Sequence, residues 1–260
     1  MVVSLHAGRV GGDIDMRALY LLVGLTCYAA FFAAFLYLVG FVGGFDFMPT
    51  SVDTGIASPV GTAVIVDVLL IALFGIQHSV MARPAFKMSW TKIVPAPIER
   101  SLYLLATVVV LAIMFSQWRP IEGVVWSVEN ETLQLALWGL FFLGWTILFI
   151  STWLLNHFEL FGLQQVWLDF TGKPPAAPRF REPLFYKMVR HPIYFGFLLA
   201  FWAAPVMTIG HLVLAIGMTL YILLGIRYEE QDLIDALGEQ YLDYRKRVGM
   251  VIPGIGKAKG

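Results

Sequence analysis

Two short stretches carry the residues most able to do chemistry. The first is Arg190-His191-Pro192-Ile193-Tyr194-Phe195-Gly196, where a basic segment meets a long apolar run. The second is Glu229-Glu230, just after that run ends. Pro192 has no backbone N–H and a fixed φ, so it suits a first helical turn. That places His191 at a helix N-terminus, where backbone N–H groups attract a carboxylate or phosphate. Glu229 and Glu230 can accept from an ammonium or from ribose hydroxyls. Tyr186, Tyr194, Tyr241 and Tyr244 offer aromatic faces and hydroxyls. Such a set suits a zwitterionic, cationic, aromatic ligand. The plainer alternative is that Arg190 and the glutamate pair flank membrane spans and meet headgroups.

The elements that must position these residues are membrane helices. The chain has 260 residues, formal net charge zero, 58% hydrophobic and 14% charged residues, and mean hydropathy +0.74. Soluble domains sit near 45–50% apolar and about 25% charged. The balanced charge gives no argument for a nucleic-acid partner. The single cysteine, Cys27, permits no disulfide within the chain and no cysteine metal cluster, and no metal site is expected. The glycine-rich first residues lack the pattern of a signal peptide.

A span needs roughly 20 mainly apolar residues. Runs meeting this lie at Ala18–Val42, Val60–Ala82, Ser101–Trp118 and Thr132–Leu155. A polar, proline-punctuated segment follows from Asn156 to His191, and segments of that length are often functional. From Ile193 to Ile226 there is no charged residue. One helix of that length would measure roughly 50 Å against a hydrocarbon core of about 30 Å. Pro205 and Gly210 supply a break, so two short helices, each just long enough to cross, are expected to form a tight hairpin. All of the 18 basic residues except Arg119 fall in segments assigned to one side. By the positive-inside rule that side is cytoplasmic. The expectation is an all-α, polytopic membrane helical bundle of six spans with both termini cytoplasmic. It forms a single domain over residues 1–260, in which residues 156–255 or so form the ligand-binding part.

The hairpin returns Glu229 and Glu230 to the level of Arg190. In this sequence Arg190-His191-Pro192-x-Tyr194-x-Gly196 is followed by Glu229-Glu230-x-x-Leu233, Gly238, Tyr241, Tyr244 and Pro253. That ordered combination resembles the isoprenylcysteine carboxyl methyltransferase superfamily, as does the lead-in Phe185-Tyr186-Lys187-Met188-Val189. The resemblance implies an integral membrane methyltransferase using S-adenosyl-L-methionine. Tyr186, His191, Tyr194 and Glu229 match the superfamily's cofactor-binding positions, with Arg190 and Glu230 beside them. Gln77-His78-Ser79-x-Met81-Ala82-Arg83 and Asn156–Gln165 depart from the prenylcysteine enzymes and resemble the superfamily's bacterial methanethiol S-methyltransferase branch. That extends the likeness to nearly the whole chain. It implies methylation of a small thiol, methanethiol, to dimethyl sulfide in a bacterial cell membrane.

Methyl transfer from a sulfonium to a thiol needs positioning, and something to take or stabilise away the thiol proton. His78, near the basic-side end of the second run, is the candidate base, since an ordinary imidazole pKa near 6.5 suits that role. A structural hydrogen bond is the alternative. Asp67 lies roughly 16 Å up the same helix, too far for a dyad. Gln164 and Gln165 can reach the cofactor's amino-acid or adenine part. Arg227 can pair with Glu230 one turn on, or orient substrate. Trp202 can wall the transfer pocket, or pack. His157 and Glu159 make no convincing metal pair. The competing readings are methylation of a larger lipid-linked thiol or carboxylate, a membrane reductase using a phosphate-bearing nicotinamide cofactor, and a non-enzymatic membrane protein.

Overall fold

The computed structural model describes residues 14–176 and 180–258. Arg9, Arg179 and Lys259 of the charge census lie outside these. Five helices are long and apolar enough to cross a membrane. They are α1 (Ile14–Gly43), α2 (Val60–Ala82), α4 (Glu99–Gln117, preceded by a 3-10 turn Ala96–Ile98), α5 (Glu131–Leu155) and α9 (Ile209–Leu237). Short helices α3 (Pro84–Trp90), α6 (His157–Leu160), α7 (Leu163–Thr171) and α10 (Glu239–Arg247) lie at the end that carries the basic loops. On α2, Asp67, Leu70 and Ile71 are buried while Ile65, Leu69 and Ile76 stay exposed. A helix with one face packed on its neighbours and an equally apolar face outward is what lipid solvation permits.

The last apolar run folds differently from two equal crossing helices. Its first part, α8, is Pro192–Trp202, 11 residues, roughly 16 Å and about half a bilayer. The second, α9, has 29 residues and carries on past Arg227 and the glutamate pair as an unbroken extension. Between them Val206–Thr208 forms a strand, β2, antiparallel to β1 (Val124–Ser127), with Ser127 opposite Val206 and Val124 opposite Thr208. Backbone groups away from water must be satisfied internally. Here Val128 N–H donates to Pro205 O at 3.0 Å, Ile209 N–H to Gly123 O at 2.9 Å, and the Trp126 indole to Ala204 O at 3.0 Å. Thr208 caps α9 by accepting from His211 N–H and donates its own hydroxyl to Asp53.

The short helix is held by a close crossing with α5. A Cβ on Gly196 would stand 2.5 Å from Gly144 O, and one on Gly144 would stand 2.6 Å from Gly196 O. Small residues allow backbones to approach in this way. Gly196, the last residue of the opening motif, is thus a packing glycine that fixes where α8 begins. Asp67 sits at the other end of the bundle, where it accepts from Arg119 N–H at 2.9 Å.

Candidate active site

His191 is the N-cap of α8 and Pro192 its first residue. The chain enters this helix from a 3-10 turn, Leu184–Lys187, that buries Tyr186. The Tyr186 hydroxyl donates to Ser151 O at 3.4 Å, and its carbonyl accepts from the Tyr244 hydroxyl. Burial, with Glu229 and Tyr244 nearby, pushes the Tyr186 phenol well above its ordinary range, so it stays neutral. Val189 pairs with Gly249 in a parallel bridge. Arg190 N–H donates to Gly249 O at 2.8 Å and His191 N–H to Met250 O at 3.1 Å. The segment after α10 therefore lies along the entry to α8.

Arg190 makes that arrangement permanent. Its Nε donates to Glu230 Oε1 at 2.7 Å. Its other nitrogens donate to the carbonyls of Arg245, Val248 and Gly256. Arg245 Nε lies 3.1 Å from Glu230 Oε2. Arg190 and Glu230 are both buried, and their hydrogen-bonding capacity is spent on the chain itself. The expected Arg227–Glu230 pair does not form, because Arg190, His191 and Arg245 occupy that carboxylate, and Arg227 is exposed.

Glu229 faces a different way. The Tyr194 phenol is its electrostatic neighbour, and His191 Nδ1 stands 3.7 Å from its Oε2. His191 Nε2 lies 3.1 Å from Glu230 Oε1, so the imidazole bridges the two glutamates. Its ring lies 5.6 Å from that of Tyr194, tilted by 31°.

His78 joins this cluster from α2. Its Nε2 is 2.8 Å from the Tyr103 hydroxyl of α4, and its ring stacks on Phe74 at 5.3 Å. Tyr221 of α9 presents its edge at 6.3 Å, with Ser79 as its neighbour. Tyr194 in turn has Glu229, Tyr221 and Tyr103 as electrostatic neighbours. The His191–Glu229–Tyr194 group and the His78–Tyr103–Tyr221 group thus lie within electrostatic reach of each other. Arg83 clamps the end of α2 to α9 by pairing with Asp232 at 2.9 Å and lying 5.5 Å over Tyr228.

Helix α7, which bears Gln164 and Gln165, follows a turn attached through Arg100, whose Nε donates to Leu160 O at 2.9 Å while its guanidinium lies 5.1 Å over the Tyr103 ring. Gln164 accepts from the Asn156 amide and lines an apolar cleft of about 280 Å³ with Leu21, Leu25, Phe158 and Trp167. Gln165 donates to Glu159 O at 3.0 Å. His157 is bonded on both nitrogens, to Tyr28 and Thr152, as a structural joint between α1 and α5. Trp202 is at the far end of α8, half exposed, donating to Thr219 at 3.0 Å. It is not brought into the cluster. A second cavity of about 270 Å³, lined by Asp53, Trp138, Phe141 and His211, lies at the opposite end of the bundle and includes none of the expected site residues.

Sequence reasoning overlooked Tyr103, Tyr221, Arg245 and Lys87. A signal for the first existed: Glu99, Arg100, Tyr103 and Thr107 put a polar line down one face of a spanning helix, and such residues face the bundle interior. Lys87 of α3 sits at the same rim. Burial, then the Arg100 charge, lowers its ammonium from the ordinary lysine range to about 8, against the opposing pull of Glu99. Among the described residues no group of three or more His, Cys, Asp or Glu could hold a metal ion.

Buried polar atoms without a partner include His78 Nδ1, Gln165 Oε1 and Tyr241 Oη. Native proteins leave few such atoms, and each calls for an explanation. These three come from α2, α7 and α10, at the basic end of the bundle, while others, Asp67 Oδ2 and Arg119 Nη1 among them, lie at the opposite end.

The fold and site define a polytopic helical membrane protein with a polar cluster enclosed at its basic end. Residues 89–248 match the family described as "Protein of unknown function (DUF1295)". The chain is 50% identical to Methanethiol S-methyltransferase 1 of Bradyrhizobium diazoefficiens over 245 residues, 94% of this chain and 86% of the relative. It is 49% identical to Methanethiol S-methyltransferase of Mycobacterium tuberculosis over 237 residues, covering 91% and 97% of the two chains. Nurim of Danio rerio is 30% identical over 184 residues, 65% of this chain and 64% of that protein. The chain belongs to this DUF1295 family, in the group that holds the methanethiol S-methyltransferases. No solved structure matches it.

Proposed function

We propose that this protein methylates methanethiol to dimethyl sulfide, with S-adenosyl-L-methionine as donor, at a site opening to the cytoplasmic face of a bacterial cell membrane. The observation that carries the reading is the meeting of two sequence-distant groups, His191–Tyr194–Glu229 and His78–Tyr103, in one enclosed cluster. The near-50% identity to two enzymes of that name supports the substrate. The concentration of basic residues at this end supports the orientation.

The residues present fit such a donor. Glu229 can take its ammonium, and His191 and Tyr194 hold that carboxylate in place. Tyr186 and Tyr241 wall the site with neutral phenols, and the open Tyr241 hydroxyl and Gln165 carbonyl match its amino and hydroxyl groups. Gln164 ties the start of α7 to Asn156. Arg190 and Glu230 act as the latch that closes the wall, in place of direct ligand contact. Arg227 faces headgroups and Trp202 packs against α9. When bound, the donor supplies a methyl carbon made electrophilic by a sulfonium. His78 Nδ1 accepts the thiol proton, and the rings of Phe74 and Tyr221 packed against His78 exclude water from the sulfur.

Calorimetric titration of the purified protein with S-adenosylhomocysteine, followed by headspace detection of dimethyl sulfide from methanethiol and donor, tests this. Binding and product are expected. Absence of binding removes the donor assignment, and binding without dimethyl sulfide removes the substrate.

A further inference from the structure

His78 is held from one side only. The Tyr103 oxygen lies 2.8 Å from its Nε2 and 3.5 Å from its own backbone carbonyl. The Nδ1 of the same ring is buried and has no hydrogen-bond partner among the described residues. A neutral imidazole carries one N–H, and the hydrogen bond at one nitrogen decides which nitrogen is left as acceptor. Two arrangements satisfy the short contact. If the phenol donates to Nε2, the proton sits on Nδ1, which can then accept nothing. If Nε2–H donates to the phenol oxygen, the phenol proton is free to turn to the His78 carbonyl, and Nδ1 is bare. The nearness of one oxygen to both groups suits the second arrangement.

We propose that Tyr103 is a positioning residue for methyl transfer, holding His78 as the Nε2–H tautomer so that Nδ1 receives the thiol proton. This rests on the assignment of His78 as proton acceptor made above. The S–H bond breaks as the new S–CH3 bond forms, and the donor's C–S bond breaks with its electron pair kept by the donor's sulfur. The proton ends on Nδ1 and passes to water when the product leaves. The Nε2–H contact with Tyr103 is the same before and after, so no heavy atom need move. Tyr103 is itself buried and fixed by Arg100. The other groups facing the imidazole are Arg100 from α4 and Tyr221 from α9, with Ser79, Arg83 and Glu229 around Tyr221. Among the described residues the hydrogen-bond partner of the His78 ring is the Tyr103 phenol, which therefore sets the tautomer.

The test compares two thiols, methanethiol and 2,2,2-trifluoroethanethiol, whose fluorines make far more thiolate at a given pH. A thiol that arrives ionised needs no acceptor. Tyr103→Phe is expected to lower kcat for methanethiol about tenfold or more, within the span of general-base effects. S-Adenosylhomocysteine affinity should stay within about twofold and turnover of the acidic thiol near wild type, since the donor site is untouched. His78→Ala serves as the reference. If His78→Ala is selective for methanethiol and Tyr103→Phe slows both thiols equally or neither, the tautomer role falls and the His78 assignment stands. If His78→Ala slows both thiols equally, the His78 assignment falls and takes this inference with it. Should Tyr103→Phe fail to bind S-adenosylhomocysteine, 3,5-difluorotyrosine placed at position 103 keeps the ring and weakens its oxygen as an acceptor. A selective loss with methanethiol supports the role, and an unchanged ratio overturns it.

Discussion

Glu229 and Glu230 are neighbours in sequence with opposite duties. Glu230 is sealed between Arg190 at 2.7 Å and Arg245 at 3.1 Å. Glu229 faces Tyr194 and His191 at the polar cluster. Conservative substitutions should therefore separate them. Glu229→Gln is expected to weaken S-adenosylhomocysteine binding about tenfold, the loss of one charge-assisted contact, with little change in thermal unfolding. Glu230→Gln is expected to lower the unfolding temperature, with affinity affected only as far as the latch loosens. Calorimetric titration beside thermal unfolding in the same detergent reads both.

Arg190 supplies the second expectation. Removing one partner of a buried ion pair leaves the other uncompensated, at a cost of about 3–5 kcal/mol. Arg190→Met should therefore destabilise on that scale. Arg190→Lys should rescue little, because a single ammonium cannot replace a planar fork serving a carboxylate and three carbonyls. Chemical denaturation in mild detergent micelles measures both. A lysine variant as stable as the wild type would contradict the account.

Gly196 and Gly144 should resist enlargement. A methyl at either meets a backbone carbonyl at 2.6 Å or less, and overpacking of this kind costs about 1–3 kcal/mol. Gly196→Ala should lower stability by that order and also reduce donor affinity, since it pushes the start of α8 away from α5. Gly61→Ala, on a position open to space, is the control and should be silent in both measurements.

Lys87 gives a pH-dependent expectation. Its folded-state value of about 8 lies below the ordinary 10.5. For a base with a lowered value, folding opposes protonation. The penalty is fully present below pH 8 and fades as pH rises from there toward the unfolded value. Competitive acylation across pH should show Lys87 reaching half-maximal reactivity near pH 8, well before exposed lysines. Replacing Arg100, the second cause of the shift, should move that midpoint upward. A midpoint shared with the exposed lysines would overturn this electrostatic reading.

Much of the scaffold was legible because apolar length is a direct statement about span. Val60–Ala82 is matched residue for residue, since prolines bracket it at 59 and 84. The hairpin was harder to read. The uncharged run from Ile193 to Ile226 shows that a break is needed, while its place depends on strand pairing with Val124–Ser127, some eighty residues upstream. The Arg190–Tyr194 motif and Glu229 could be anticipated as companions. That Arg190 and Glu230 turn inward could not, because three of the arginine's acceptors are backbone carbonyls, which have no signature in a sequence. Tyr103 was half legible: the polar line Glu99, Arg100, Tyr103 and Thr107 turns it toward the bundle interior, but its partner is known only when His78 is found opposite it.

The parallel bridge between Val189 and Gly249 sets a condition on biosynthesis. The spans enter the membrane in order as the chain is made, yet Arg190 finds its carbonyl partners at 245, 248 and 256. The wall of the site is completed by residues that leave the ribosome after all five spans. An inserted but unfinished chain would have its helices in the bilayer and its glutamates at the right depth, and would still lack the strand of backbone that encloses them. Competence to act therefore waits on the segment that follows α9, and a nonsense change between α9 and Arg245 should yield a membrane protein that is present and silent.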